Sequence, residues 1–237
     1  MKKSLLLSLA CLLFLASTSA FAITSPCANS TLDTYLVPTF ACTINNLTFT
    51  NWNYQSTSNL ASNISVGVLA SPPQGVFPDP PGSGFSFSTN WTANGGGVES
   101  QDSLILFAVT STTTNITDLH LAFNGATLNG GQATVIEQYC LGQTNGNPLN
   151  CSGPGFIAGN IAVTSPGTTF ESNAIFSAVS AISVSKDIGV QSTHATNSIA
   201  HISTVLNNFS TSSSSVPEPG TINHVPLVEC PTNVPEL

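Results

Sequence analysis

Leu104-Ile105-Leu106-Phe107-Ala108-Val109 is an unbroken run of six apolar residues. A run this short, rich in β-branched and aromatic side chains, reads as a strand buried on both faces. Its neighbours read as strands buried on one face. Upstream, Ile64, Val66 and Val68 alternate with small or polar residues, and Phe85, Phe87 and Trp91 follow the same rhythm. Downstream, Leu119, Leu121 and Phe123 alternate after Ile116, and Ala133, Val135 and Glu137 share one strand face. Ile157, Ile161 and Val163, then Ile182 and Val184 among serines, then Ile199 to Phe209 complete the series. At Leu47, Phe49, Trp52 and Tyr54 the alternation changes parity, which predicts a bulge or two short strands.

Chain breakers separate these segments. Ser71-Pro72-Pro73 to Pro78-Asp79-Pro80-Pro81-Gly82 cannot continue a ladder. Gly95-Gly96-Gly97, Asn124-Gly125, Asn129-Gly130-Gly131 and the stretch 142–155 supply further turn or loop signals. Thr110 to Thr114 falls between two strands. Strands recur at roughly ten-residue spacing with no sustained helical period, so the expected class is all-β, an antiparallel β-sandwich or jelly roll.

Both termini read differently from this body. Lys2 and Lys3, the apolar stretch Leu5 to Ala16 and Ala20-Phe21-Ala22 form the three regions of a secretory signal peptide, with cleavage expected after Ala22. Residues 23–210 are then one β-sandwich domain, and 211–237 a Ser/Pro-rich tail whose composition predicts disorder. Removal of Lys2 and Lys3 leaves Lys186 as the one Lys or Arg against 11 carboxylates and takes the formal charge of −8 to about −10. Nucleic-acid binding needs clustered Lys and Arg and is excluded on this ground. The surface is expected to be solvated by hydroxyls and amides, since charged residues make up only 6% of the chain.

Cys27, Cys42, Cys140 and Cys151 lie in the expected exported body, where paired cysteines read as disulfides. Four allow three connectivities; the local one, Cys27–Cys42 with Cys140–Cys151, is expected. Closing loops of about 15 and 11 residues would contribute on the order of 3 kcal/mol each. Cys230 is left over in the tail. No Cys-x-x-Cys occurs, and no metal or cofactor is expected.

Val216-Pro217-Glu218-Pro219, after the serine run Ser212 to Ser215, resembles the PEP-CTERM sorting signal, a motif also named as an ice-binding-protein C-terminal domain. Thr31-Leu32-Asp33-Thr34-Tyr35-Leu36, Phe40-Ala41-Cys42-Thr43-Ile44 and Leu47-Thr48-Phe49-Thr50-Asn51 look like the secreted body of such proteins from environmental Gram-negative bacteria. The resemblance implies an exosortase-type sorting enzyme as a partner and a place at the outer cell surface or in the extracellular matrix, associated with exopolysaccharide. In that family a transmembrane helix and a basic cluster follow the tetrad. Here Ile222 to Leu237 contains three prolines and two glutamates, so no transmembrane anchor is expected in this sequence, through a frameshift, a truncation or a vestigial motif.

No nucleophile elbow, P-loop or dinucleotide fingerprint is present, and the expected function is non-enzymatic. Two alternatives remain. A carbohydrate-binding module would stack sugar rings on Trp52, Tyr54 or Trp91. A secreted hydrolase would use two of Asp102, Asp118, Glu137 and Glu171, each of which otherwise reads as a solvated carboxylate at a strand end. His120 reads as facing outward with Asp118 as a weak partner. His194 and His201, seven apart, read as surface histidines rather than metal ligands. The contiguous Thr110 to Thr114 run does not give the regular flat array that an ice-binding face needs.

Overall fold

Leu104 to Val109 lies in the middle of β7 (Ser100–Ser111), which is hydrogen-bonded on both sides, to β4 (Leu47–Ser56) and β12 (Ala181–Gln191). The expected two-faced burial is present from Ile105 to Val109. The structure is a computed structural model and describes residues 24–70, 82–95, 99–167 and 170–213. The expected signal peptide, the proline-dense stretch and the Val216 to Pro219 motif lie outside the described residues.

Two sheets face each other. One has seven strands, in the order β1 (Ser25–Pro26), β3 (Cys42–Ile44), β4, β7, β12, β9 (Gln132–Leu141), β10 (Ile157–Ser165). The other has six: β11 (Glu171–Val179), β8 (Thr114–Leu128), β13 (Ile199–Ser213), β6 (Ser83–Asn94), β5 (Ser65–Leu69), β2 (Ser30–Thr31). All pairings are antiparallel except β1 with β3. The pairs β6–β13, β7–β12, β8–β11 and β9–β10 are those of one long hairpin folded back on itself. That is the jelly-roll wrapping, which joins two Greek keys into a double sheet. The N-terminal strands extend both sheets beyond this eight-strand unit, and one helical turn, α1 (Leu32–Tyr35), packs Leu32 and Tyr35 into the core.

The core is strongly aromatic at one end. Phe85 meets Phe49 edge-on at 4.7 Å, and Trp52 stacks on Phe107 at the same centroid distance. Such pairs add about 0.5–1.5 kcal/mol each beyond the area they bury. Trp91, fully buried on β6, donates from Nε1 to Ser103 Oγ on β7 across the two sheets (3.0 Å).

The predicted bulge near Trp52 is present as a register shift against β7 between Thr50 and Asn53, with Asn51 at φ 56°. Asn129-Gly130-Gly131 forms the expected turn between β8 and β9, with positive φ at Asn129 and Gly130. Thr112 and Thr113 join β7 to β8. Asn124-Gly125, in contrast, is not a turn: it lies inside β8, at a register shift opposite Ile202 and Thr204. Turn chemistry is overridden because both residues are paired with β13, and the glycine serves close approach instead. A Cβ at Gly125 would collide with the carbonyl of His201. The tail boundary also moves, since β13 continues to Ser213.

Both local disulfides are formed, Cys27–Cys42 and Cys140–Cys151. The second anchors the 142–156 loop over the outer face of the seven-stranded sheet. There Ser183 Oγ donates to the Gln143 carbonyl and accepts from the Gly146 amide.

Candidate functional site

Strand alternation sends Ile105, Phe107 and Val109 of β7 inward and Asp102 and Leu104 outward. On β12 it sends Lys186, Ile188 and Val190 inward and Asp187 and Gly189 outward. The two strands pair with Gly189 opposite Asp102 and Asp187 opposite Leu104, which places the two aspartates diagonally on the outer face. Partial burial, and then the neighbouring Asp102 carboxyl, push the Asp187 carboxyl up to about 6. The pair therefore holds a proton in mildly acidic solution.

Two shallow depressions meet at Asp102. One, of about 290 Å³, is lined by Gln55, Ser56, Thr57, Asp102, Leu104 and Asp187. The other, of about 280 Å³, includes Asp102, Gln132, Thr134, Gly189 and Gln191. Gly189 helps keep the second open, because a Cβ there would find only the Thr134 carbonyl, at 4.0 Å. The end of β4 clamps the first: Ser56 Oγ and the Thr57 amide donate to the Asp102 carbonyl (2.7 and 3.0 Å), and Thr57 Oγ1 accepts from the Asp102 amide (3.1 Å). A third depression, of about 430 Å³, lies beside the Cys140–Cys151 bridge and is lined by Gln138, Leu149, Ala158 and Asn160 among others. The lining side chains of the first two are mostly amides, hydroxyls and carboxylates.

The four carboxylates expected as hydrolase candidates are dispersed. Asp102 is on the outer face of the seven-stranded sheet. Asp118 accepts the Ser210 amide (3.0 Å) at a register shift between β8 and β13. Glu171 begins β11, with Oε2 3.8 Å from His120 Nε2. Glu137 is not a solvated strand-end carboxylate: it is wholly buried between the sheets. The reason is parity, since Glu137 shares its strand face with Ala133 and Val135. What lets it remain there is Lys186, directly opposite on β12, with Nζ 2.8 Å from Glu137 Oε2. The partner of Asp102 is Asp187, which the sequence reading did not single out.

Other expectations are corrected as well. His120 is on the outer face but only 8% exposed, and Glu171 Oε2 lies 3.8 Å from its Nε2. The sugar-stacking platform of Trp52, Tyr54 and Trp91 is not formed. Trp91 is inside the core, Trp52 packs against Tyr35, Phe85 and Phe107, and Tyr54 lies half-buried with its hydroxyl donating to the Asn59 carbonyl (2.8 Å). His194 sits on the exposed β12–β13 loop and His201 within β13, and no three His, Cys, Asp or Glu converge among the described residues. Among the same residues no helix is long and apolar enough to cross a membrane.

No family model and no curated protein matches the chain. Two solved structures overlap with it. TmCBM61 in complex with β-1,4-galactotriose is 10% identical, with a TM-score of 0.31, over 66% of this chain and 86% of that one. The enzymatically active domain of bacteriophage CBA120 tailspike protein 4 is 13% identical, with a TM-score of 0.28, over 68% of this chain and 19% of that one. Likenesses this distant transfer no site and no activity.

Proposed function

We propose that the chain is an exported, non-enzymatic protein of the cell surface or extracellular matrix, sorted as a PEP-CTERM-type protein, which holds neutral polysaccharide on the outer face of its seven-stranded sheet. The observation that carries this reading is the pair of joined depressions around Asp102 and Asp187, lined by amides, hydroxyls and two carboxylates. Sugar hydroxyls both donate and accept. Carboxylates and amide oxygens take their protons, while amide N–H groups supply the return bonds. Charge-assisted bonds of this kind contribute about 1.5–3 kcal/mol each. Two disulfides suit an oxidising, extracellular setting. The hydrolase reading has less support, because Asp102, Asp118, Glu137 and Glu171 lie on different strands and Glu137 is closed off inside the core.

Calorimetric titration of the full chain with neutral oligosaccharides of different linkage tests the binding. The expected result is saturable binding that weakens at least tenfold in Asp102→Ala. Absence of binding to every glycan, or binding unchanged by that substitution, would overturn the reading. Fractionation of the source cells tests the location, with the protein expected in the medium or on the outer surface.

A further inference from the structure

Lys186 is the one Lys or Arg among the described residues, and it is 0% exposed. Glu137 and Asn207 beside it are also 0% exposed. The Lys186 ammonium lies 2.8 Å from Glu137 Oε2 and 5.4 Å from the centroid of the Phe107 ring. Glu137 and Lys186 hang from neighbouring strands of the seven-stranded sheet. Asn207 comes from β13 in the facing sheet. Its Nδ2 donates to Glu137 Oε1 and Oε2 (2.9 and 3.2 Å) and to the His120 carbonyl (3.1 Å). Nζ and Nδ2 thus rest against the same carboxylate oxygen, and the distances of 2.8 and 3.2 Å to it bound their separation at about 6 Å. Asn207 Oδ1, also buried, has no hydrogen-bond partner.

As an ion pair this arrangement is poorly stabilising, because desolvating two charges costs about as much as their attraction returns. Burial, partly offset by Glu137, brings the Lys186 amine down to about 8, and burial raises the Glu137 carboxyl. Passing one proton from Nζ to the carboxylate gives an uncharged amine and an uncharged acid. A desolvated lysine amine is a nucleophile, and a carboxylic acid in contact with a leaving group is a general acid.

We propose that Lys186 and Asn207 become joined by an intramolecular amide bond, with Glu137 carrying the protons, so that the two sheets of the sandwich are covalently cross-linked. Nζ adds to Cγ of Asn207 and forms the new C–N bond. Glu137 gives its proton to Nδ2, the Cγ–Nδ2 bond breaks, and ammonia leaves. The surplus proton on Nζ returns to Glu137, which ends as the uncharged acid. One ammonia is lost, no oxidant, metal or cofactor is consumed, and no charge remains among the three side chains. Glu137 touches both reacting nitrogens and is the catalytic residue of the step.

The test is mass spectrometry of the folded full chain after reduction and alkylation, followed by digestion with a lysine-specific protease under denaturing conditions. The mass is expected to fall short of the sequence by about 17 Da, one ammonia displaced by the amine. The protease should leave the chain uncut after Lys186 and yield a branched peptide in which Lys186 carries Asn207. Glu137→Gln should restore the full mass and the cut. The wild-type digest decides the matter even if that variant does not fold. A full-length mass with normal cleavage after Lys186 overturns the proposal. So does an ammonia deficit that maps to a succinimide at Asn94, Asn124, Asn129 or Asn145, each followed by glycine, with Lys186 still cleaved.

Discussion

Replacing Asp187 by Asn should stabilise the protein at neutral pH and leave it unchanged in acid. In the native state the Asp187 carboxyl is raised from 3.8 to about 6, by partial burial first and by Asp102 second. A raised carboxyl favours folding while it is protonated. Its contribution is therefore complete below pH ~4 and is lost as the pH climbs through ~6. A shift of about two units corresponds to roughly 3 kcal/mol. The side chain is about half exposed, so solvent screening reduces this to on the order of 1 kcal/mol. Asn keeps the shape and can donate to Asp102 without carrying a second charge. Urea unfolding of wild type and Asp187→Asn at pH 4 and pH 7.5 measures the difference. The variant should gain about 1 kcal/mol at pH 7.5, or roughly 2–4 °C in Tm for a chain of this size, and nothing at pH 4. An equal gain at both values would refute the reasoning, because it would show that the effect is not electrostatic.

Two further outcomes follow from the fold. Cys140→Ser opens a loop spanning a sequence separation of 11 and should cost about 3 kcal/mol by the chain-entropy relation, read as a lower urea midpoint under non-reducing conditions; identical midpoints would show that the bridge adds nothing. Gly125→Ala forces a methyl against the His201 carbonyl within a paired region of β8 and β13. It should destabilise by about 1–3 kcal/mol, measured by thermal unfolding, and a neutral result would mean that the register shift there is free to relax.

Much of the architecture is local information. A strand's two faces are written in alternate residues, so Leu104 to Val109 declares a central strand, and Phe85, Phe87 and Leu119 to Phe123 declare core-facing ones. The change of parity before Trp52 declares a bulge. The same alternation carried more than was read from it. Glu137 falls in step with Ala133 and Val135, and Lys186 in step with Ile182, Val184 and Ile188, so each charge is placed on an inward face by sequence alone. Their burial could have been argued from parity and from the scarcity of other cations. Asn124-Gly125 shows the reverse: a strong turn signal yields when β8 runs on along β13 through that point.

Composition, strand periodicity, the breakers between strands and the local disulfide pairing are determined by the sequence itself, because each depends on neighbours within about 15 residues. The meeting of Asp102 with Asp187, the approach of Asn207 to Glu137 and the withdrawal of Trp52 and Trp91 into the core belong to the tertiary structure. These contacts join strands far apart in the chain. Register, and the folding of one long hairpin into two facing sheets, decide which side chains meet, and strand alternation by itself specifies neither.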